Sequence, residues 1–179
     1  MYNLDIPNSL HFYTYYEHSY SLKLAADENS NMFSSIATQP LTENNRLKGI
    51  GLFNASMLLY AVSVELILKA RALFEEKDRI KNGEIKNLKD FLKTWKGDSN
   101  GHDFFQIIKY YKIDVSEEHH NIFLELKEYA QWAGRFPFSL KYNDTKQLGS
   151  NNRSPGGLKQ IYNKKINEFI ESQKIIMGI

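Results

Sequence analysis

The sequence predicts an all-α protein, an antiparallel bundle of about six helices around one long central helix. Three observations carry that expectation. Apolar residues recur at i, i+3, i+4 and i+7 in most segments. Helix start and stop signals punctuate them: Pro7–Asn8–Ser9, Ser116 and Gly134. The stretch Ala61–Leu73, AVSVELILKARAL, is apolar nearly all round, as a helix at the centre of a protein must be.

The chain in order justifies each element. After Pro7–Asn8–Ser9 a first helix is expected to run to about Glu28. Tyr13, Tyr16, Tyr20 and Leu24 recur on one side, with Phe12 and Tyr15 widening it. An aromatic stripe of this kind either packs on a core or second subunit, or stacks bases. Asn29 to Asn45 is polar, contains Pro40, and reads as a loop. The central helix then runs from about Asn45 to Glu76. Leu47, Ile50, Asn54, Met57, Ala61, Leu68 and Ala72 form one stripe; Leu52, Leu59, Val62, Leu66 and Leu73 form a second. Gly49 and Gly51, poor helix formers, mark a close helix–helix approach or a bend.

Asn82–Gly83 is a turn signal. Ile85, Leu88, Phe91, Leu92 and Trp95 follow as an amphipathic helix with a basic outer face. Residues 77–96 hold seven basic residues against three acids. Gly97 to Gly101 reads as a loop, and His102–Asp103 opens a helix that turns Phe104, Ile107, Ile108 and Tyr111 inward. Asp103 suits a helix N-terminus on dipole grounds. Ser116 caps the next helix, with Glu117 and Glu118 in its first turn. Its apolar face is His119, Ile122, Phe123, Leu126, Tyr129, Ala130 and Ala133, and Gly134 ends it. Phe138 to Gly157 reads as a mobile loop. A last helix is expected from about Pro155, with Leu158, Ile161, Tyr162, Phe169 and Ile170 inward.

Composition bounds the function. A length of 179 residues suits one domain, 1–179, with a full hydrophobic core. The net charge is only +2, so the molecule is not a polycation. The charge is uneven: one lysine against five acids in residues 1–45, but seven basic residues against three acids in 141–179. A basic half of this size is a solvated face or a contact for nucleic acid. With no cysteine, disulfides and thiolate metal sites are excluded. The N-terminal segment lacks a signal-peptide pattern, and Ser63, Glu65 and Lys69 break the longest apolar run. A cytoplasmic protein without a membrane span is expected.

Chemistry-bearing motifs are few. Glu65 and Lys69, four residues apart, share one face of the central helix in a stripe that otherwise reads Ala61, Leu68, Ala72. Charges on such a face pair with each other or form the polar heart of a site. His102 is either a catalytic base or a helix-capping histidine bonded to a buried acid. Arg135 binds phosphate or pairs with Glu65 or a helix carboxyl end. Glu65, Lys69, His102 and Arg135 are expected to converge, because antiparallel helices bring the start of one beside the end of the next. His11 and His18 lack a third ligand, and His119–His120 is a poor chelate. No metal or cofactor is expected: HExxH, Walker-type and paired-glycine dinucleotide motifs are missing.

AVSVELILKARAL, GHDFFQIIKYYKI and LKEYAQWAGRFP, in that order, resemble the bacterial HEPN-like helical superfamily over roughly residues 55–138. The positions that carry the likeness are Glu65 with Leu68–Lys69–Ala70, Gly101–His102–Asp103, and Arg135–Phe136–Pro137. The resemblance implies an antiparallel bundle, usually a homodimer, acting in RNA cleavage or binding, often in phage defence or toxin–antitoxin systems. Catalytic members carry an Arg followed by a His after four to six residues. Arg46, Arg71, Arg79, Arg135 and Arg153 all lack such a His; after Arg135 the window holds Leu140, Lys141 and Tyr142. Two functions stay open. One is an RNA- or partner-binding module without nuclease chemistry. The other is a divergent, metal-independent endoribonuclease with a composite site of His102, Arg135 and Glu65.

Overall fold

The structure, a computed structural model, describes residues 8–97, 101–130 and 161–179. Within them the protein is all-α, with seven α-helices, a 3-10 turn at Asn8–Leu10 and no strand. The helices are α1 (Phe12–Ala37), α2 (Glu43–Glu75), α3 (Lys77–Lys81), α4 (Leu88–Trp95), α5 (Phe104–Tyr111), α6 (Glu117–Glu128) and α7 (Ile161–Met177). The 33-residue α2, about 50 Å long at ~1.5 Å per residue, packs against α1, α3, α5, α6 and α7.

The reason α2 is central lies in its second half. Tyr60, Ala61, Val64, Ile67, Leu68, Ala70 and Ala72 have no exposed surface. Only a narrow stripe, Leu59, Val62, Leu66 and Lys69, keeps partial exposure, so neighbours cover most of its circumference. By length and composition alone, α2 also contains a window apolar enough to cross a membrane, contrary to the expectation of a broken run; 44% of that window is buried inside the bundle. Its first half differs from the expected stripe. Leu47 and Ile50 are 55% and 48% exposed. Leu66, expected on a core stripe, is half-buried.

α1 and α2 form an antiparallel hairpin with a seven-residue period. Ser19, Ala26 and Phe33 face Ser63, Ser56 and Gly49. Such spacing keeps one seam of each helix in contact. Small residues on the seam bring the backbones close enough for Ser19 Oγ and Ser63 Oγ each to donate to the other's carbonyl at 2.8 Å. A Cβ on Gly49 would lie 3.8 Å from the Phe33 ring, an ordinary contact distance, so Gly49 faces α1 without the helix approach requiring a glycine there. Gly51 is exposed, with no described atom near its Cβ direction, and α2 runs through it.

α1 continues to Ala37, nine residues beyond the expected end, so Asn29–Ala37 is helix and not loop. Asn and Ser favour turns in isolation, but Phe33 packs on Phe53 with ring centroids 6.0 Å apart, which rewards the helical register. The connection shrinks to Thr38–Thr42. Thr42 caps α2 by accepting from Asn45 N at 3.2 Å.

The remaining helices close the core. Ile85, Phe91 and Trp95 bury the inner side of α4, while Leu88 is 37% exposed and not inward as expected. Phe104 and Ile107 from α5, and Ile122, Phe123 and Leu126 from α6, meet Tyr162, Ile166, Phe169 and Ile170 of α7. Phe123 and Phe169 pack edge to face with centroids 4.9 Å apart, the arrangement favoured by ring quadrupoles. Ile161, expected inward, is 42% exposed. The expected helix end at Gly134, the loop 138–157 and the start near Pro155 lie outside the described residues.

Candidate functional site

The polar cluster is built on two turns of α2. Glu65 and Lys69 stand one above the other, and Lys69 Nζ donates to Glu65 Oε1 at 2.5 Å. Their side chains are 9% and 11% exposed, so this is an interior ion pair. His102 reaches it from the segment before α5, its Nδ1 lying 3.0 and 3.2 Å from the two Glu65 oxygens. A carboxylate only accepts, so Nδ1 carries the proton and donates. The His102 side chain is 46% exposed, in contrast to its carboxylate.

Local geometry explains how His102 gets there. Gly101 has φ +83°, a left-handed conformation that disfavours a side chain. It turns the chain into α5, and its own Cβ direction is 3.5 Å from Leu92 Cδ2 of α4. Asp103 then caps α5, accepting from Phe105 N at 3.0 Å, and takes an ion pair from Lys127 of α6 at 3.0 Å. The start of α5 is thus tied to α2 by His102 and to α6 by Asp103. Glu65, Lys69 and His102 come together in the structure. Arg135 lies outside the described residues.

Two further polar sets escaped the sequence reading. Lys23 and Asp27, on α1, form an interior pair at 2.6 Å with side chains 7% and 12% exposed. Tyr60 donates to Asp27 at 2.7 Å, and Lys23 reaches Asn163 of α7 at 3.2 Å. Burial, and then the Asp27 carboxylate, push the Tyr60 hydroxyl well above the usual phenol range. The available signal was the four-residue Lys–Asp spacing in line with Ser19; the aromatic stripe drew attention to the neighbouring face. Leu24, placed on that stripe, is 47% exposed. The second set is Glu76, buried where α2 meets α3, which accepts from Tyr111 at 3.0 Å and Arg79 at 2.9 Å.

His119 belongs to the scaffold: its two ring nitrogens meet Ser116 Oγ at 2.8 Å and the Lys165 carbonyl at 3.0 Å. Among the described residues no three His, Asp or Glu side chains are placed to share a metal ion. Two surface hollows are open. One of about 520 Å³ lies at the α1–α2 tip between Phe33, Leu41, Ile50 and Phe53. The other, about 440 Å³, lies on α4 between Leu88, Lys89, Leu92, Lys93 and Lys96.

No family model, curated protein or solved structure matches the chain. Function therefore rests on the geometry and on the motif resemblance. Chemically, the Glu65–Lys69–His102 set can do two things. It can lock α5 onto α2 through a satisfied interior carboxylate. It can also orient an imidazole for proton transfer, as a carboxylate does when it holds the Nδ1 side of a histidine.

Proposed function

We propose that the protein is a HEPN-like helical module that binds RNA or a partner protein in the cytoplasm, in a phage-defence or toxin–antitoxin setting, without the nuclease chemistry of the superfamily. The observation that carries this reading is the double pairing of Glu65, with Lys69 and with His102. Lys69 neutralises it and the one His102 Nδ1–H is shared between its two oxygens, so the position the resemblance points to acts as a strut. The missing Arg–His motif agrees with it. The excess of basic residues in 77–96 supports an anionic partner, as RNA is. Fluorescence anisotropy with a labelled single-stranded RNA tests the RNA arm: binding that weakens with salt is expected. No binding at ~0.1 M salt would remove it, since this contact depends on released counterions.

We further propose a homodimer. Leu41 and Ile50, 90% and 48% exposed, line the hollow at the α1–α2 tip, and Met32 and Leu47, each 55% exposed, lie on the same two helices; exposed apolar side chains of this kind mark an interface. Sedimentation at micromolar concentration should show a dimer; a single monomer species would refute it.

One observation favours the alternative of a divergent, metal-independent endoribonuclease. His102 is held by a carboxylate on Nδ1 yet is partly exposed, as a general base must be. Its signature is RNA cleavage in the presence of a chelator that His102→Ala abolishes without lowering the melting temperature.

A further inference from the structure

Phe91 and Trp95, one turn apart, are 0% and 3% exposed and fix which side of α4 faces the core. Lys89 and Lys93 therefore stand on the solvent side, and Lys86, two residues before the helix, is exposed as well. Lys86 and Lys89 make no ion pair among the described residues. Lys93 reaches only Asp90, at 3.8 Å, and the other Asp90 oxygen is taken by the Asn87 amide at 2.9 Å. One of the three lysines thus has a carboxylate partner among the described residues, and a distant one. The hollow on this face has Leu88 and Leu92 for a floor and Lys89, Lys93 and Lys96 for a rim. Leu92 also abuts Gly101, directly before His102.

A lysine rim suits phosphate, and an apolar floor suits the flat face of a base. A duplex keeps its bases stacked away from such a floor; a single strand can offer one. We infer that the outer face of α4 is a tract for the phosphate backbone of single-stranded RNA, leading to the His102 segment. The inference rests on the RNA reading above and names its surface.

The test is anisotropy with a 5′-labelled, mixed-sequence RNA of about 20 nucleotides, a length that spans one to several single-strand sites, over a range of salt. Three proteins are compared at matched folding: wild type, Lys86→Gln/Lys89→Gln/Lys93→Gln, and a control of equal charge loss elsewhere, Lys48→Gln/Lys109→Gln/Lys164→Gln. Each single-strand phosphate contact contributes about 0.7 to the slope of log affinity against log salt, so losing three lowers the slope by ~2 and the affinity on the order of 100-fold at ~0.1 M. Lys89→Gln alone should lower the slope by ~0.7. The control should bind nearly as wild type. Equal losses in the triple variant and the control would overturn the tract, as would an unchanged triple variant; in both cases the RNA reading survives. Wild type that fails to bind RNA would overturn both, and poly-glutamate binding that the triple variant loses and the control keeps would assign the face to an acidic protein.

Discussion

Removing the Glu65 carboxylate is the sharpest test of the interior pair. Glu65→Ala leaves the Lys69 ammonium, 11% exposed, beside a cavity and without its ion partner. Breaking a buried pair from one side costs about 3–5 kcal/mol, because the remaining charge is stranded away from water. The His102 bond adds little, on the order of 0–1 kcal/mol, since that side chain is 46% exposed and screened. For a chain of this size each kcal/mol moves the melting temperature by roughly 2–4 °C, so a fall of about 6–20 °C is expected. Urea denaturation followed by far-UV circular dichroism gives the free energy directly. Adding Lys69→Met should recover most of the loss, since an apolar side chain leaves no stranded charge. A Glu65→Ala protein within ~1 kcal/mol of wild type would show that the pair is solvated and the cluster is no strut.

Three other predictions follow from the packing. Leu68→Asp, at a position with no exposed surface, should prevent stable folding, whereas the half-buried Leu66 should tolerate Leu66→Asp better; equal melting of the two would contradict the orientation of α2. Gly51→Ala should stabilise by about 0.8–1 kcal/mol through helix propensity, with no described atom to clash; a loss of stability measured by denaturation would contradict it. Burial first, and a neighbouring carboxylate second, raise the hydroxyls of Tyr60, Tyr111 and Tyr162, and push Tyr129 up to about 12. These groups keep their protons longer folded than unfolded. Their contribution is full below pH ~10, the unfolded value, and is lost as pH rises through the folded values. Absorbance at 295 nm should show them ionising only with unfolding; all 11 tyrosines titrating together near pH ~10 in a folded protein would refute it.

What could be read from the sequence followed from local pattern strength. The second half of α2 is apolar over most of its circumference, which marks it as the helix the others pack against. Glu65 and Lys69 were visible because i,i+4 spacing alone places them together, and His102 because Gly101 and Asp103 frame a helix start. The tail of α1 was hidden because its helix is sustained by Phe33 against Phe53, a contact no local propensity reveals. Lys23 and Asp27 were hidden because the α1 seam runs through the small residues Ser19 and Ala26, while the larger aromatics beside them carry the stronger apolar signal. The exposure of Leu47 and Ile50 depends on what packs beside them, which periodicity does not encode.

The central claim is that His102 serves as a bound strut of a binding module and performs no chemistry. Incubation of wild type and His102→Ala with total RNA and a chelator, read on a denaturing gel, tests it most directly. Intact RNA with both proteins, together with retained RNA binding, is the expected result. Cleavage by wild type that disappears in a stably folded His102→Ala would contradict the claim and make the Glu65–His102 pair a catalytic dyad.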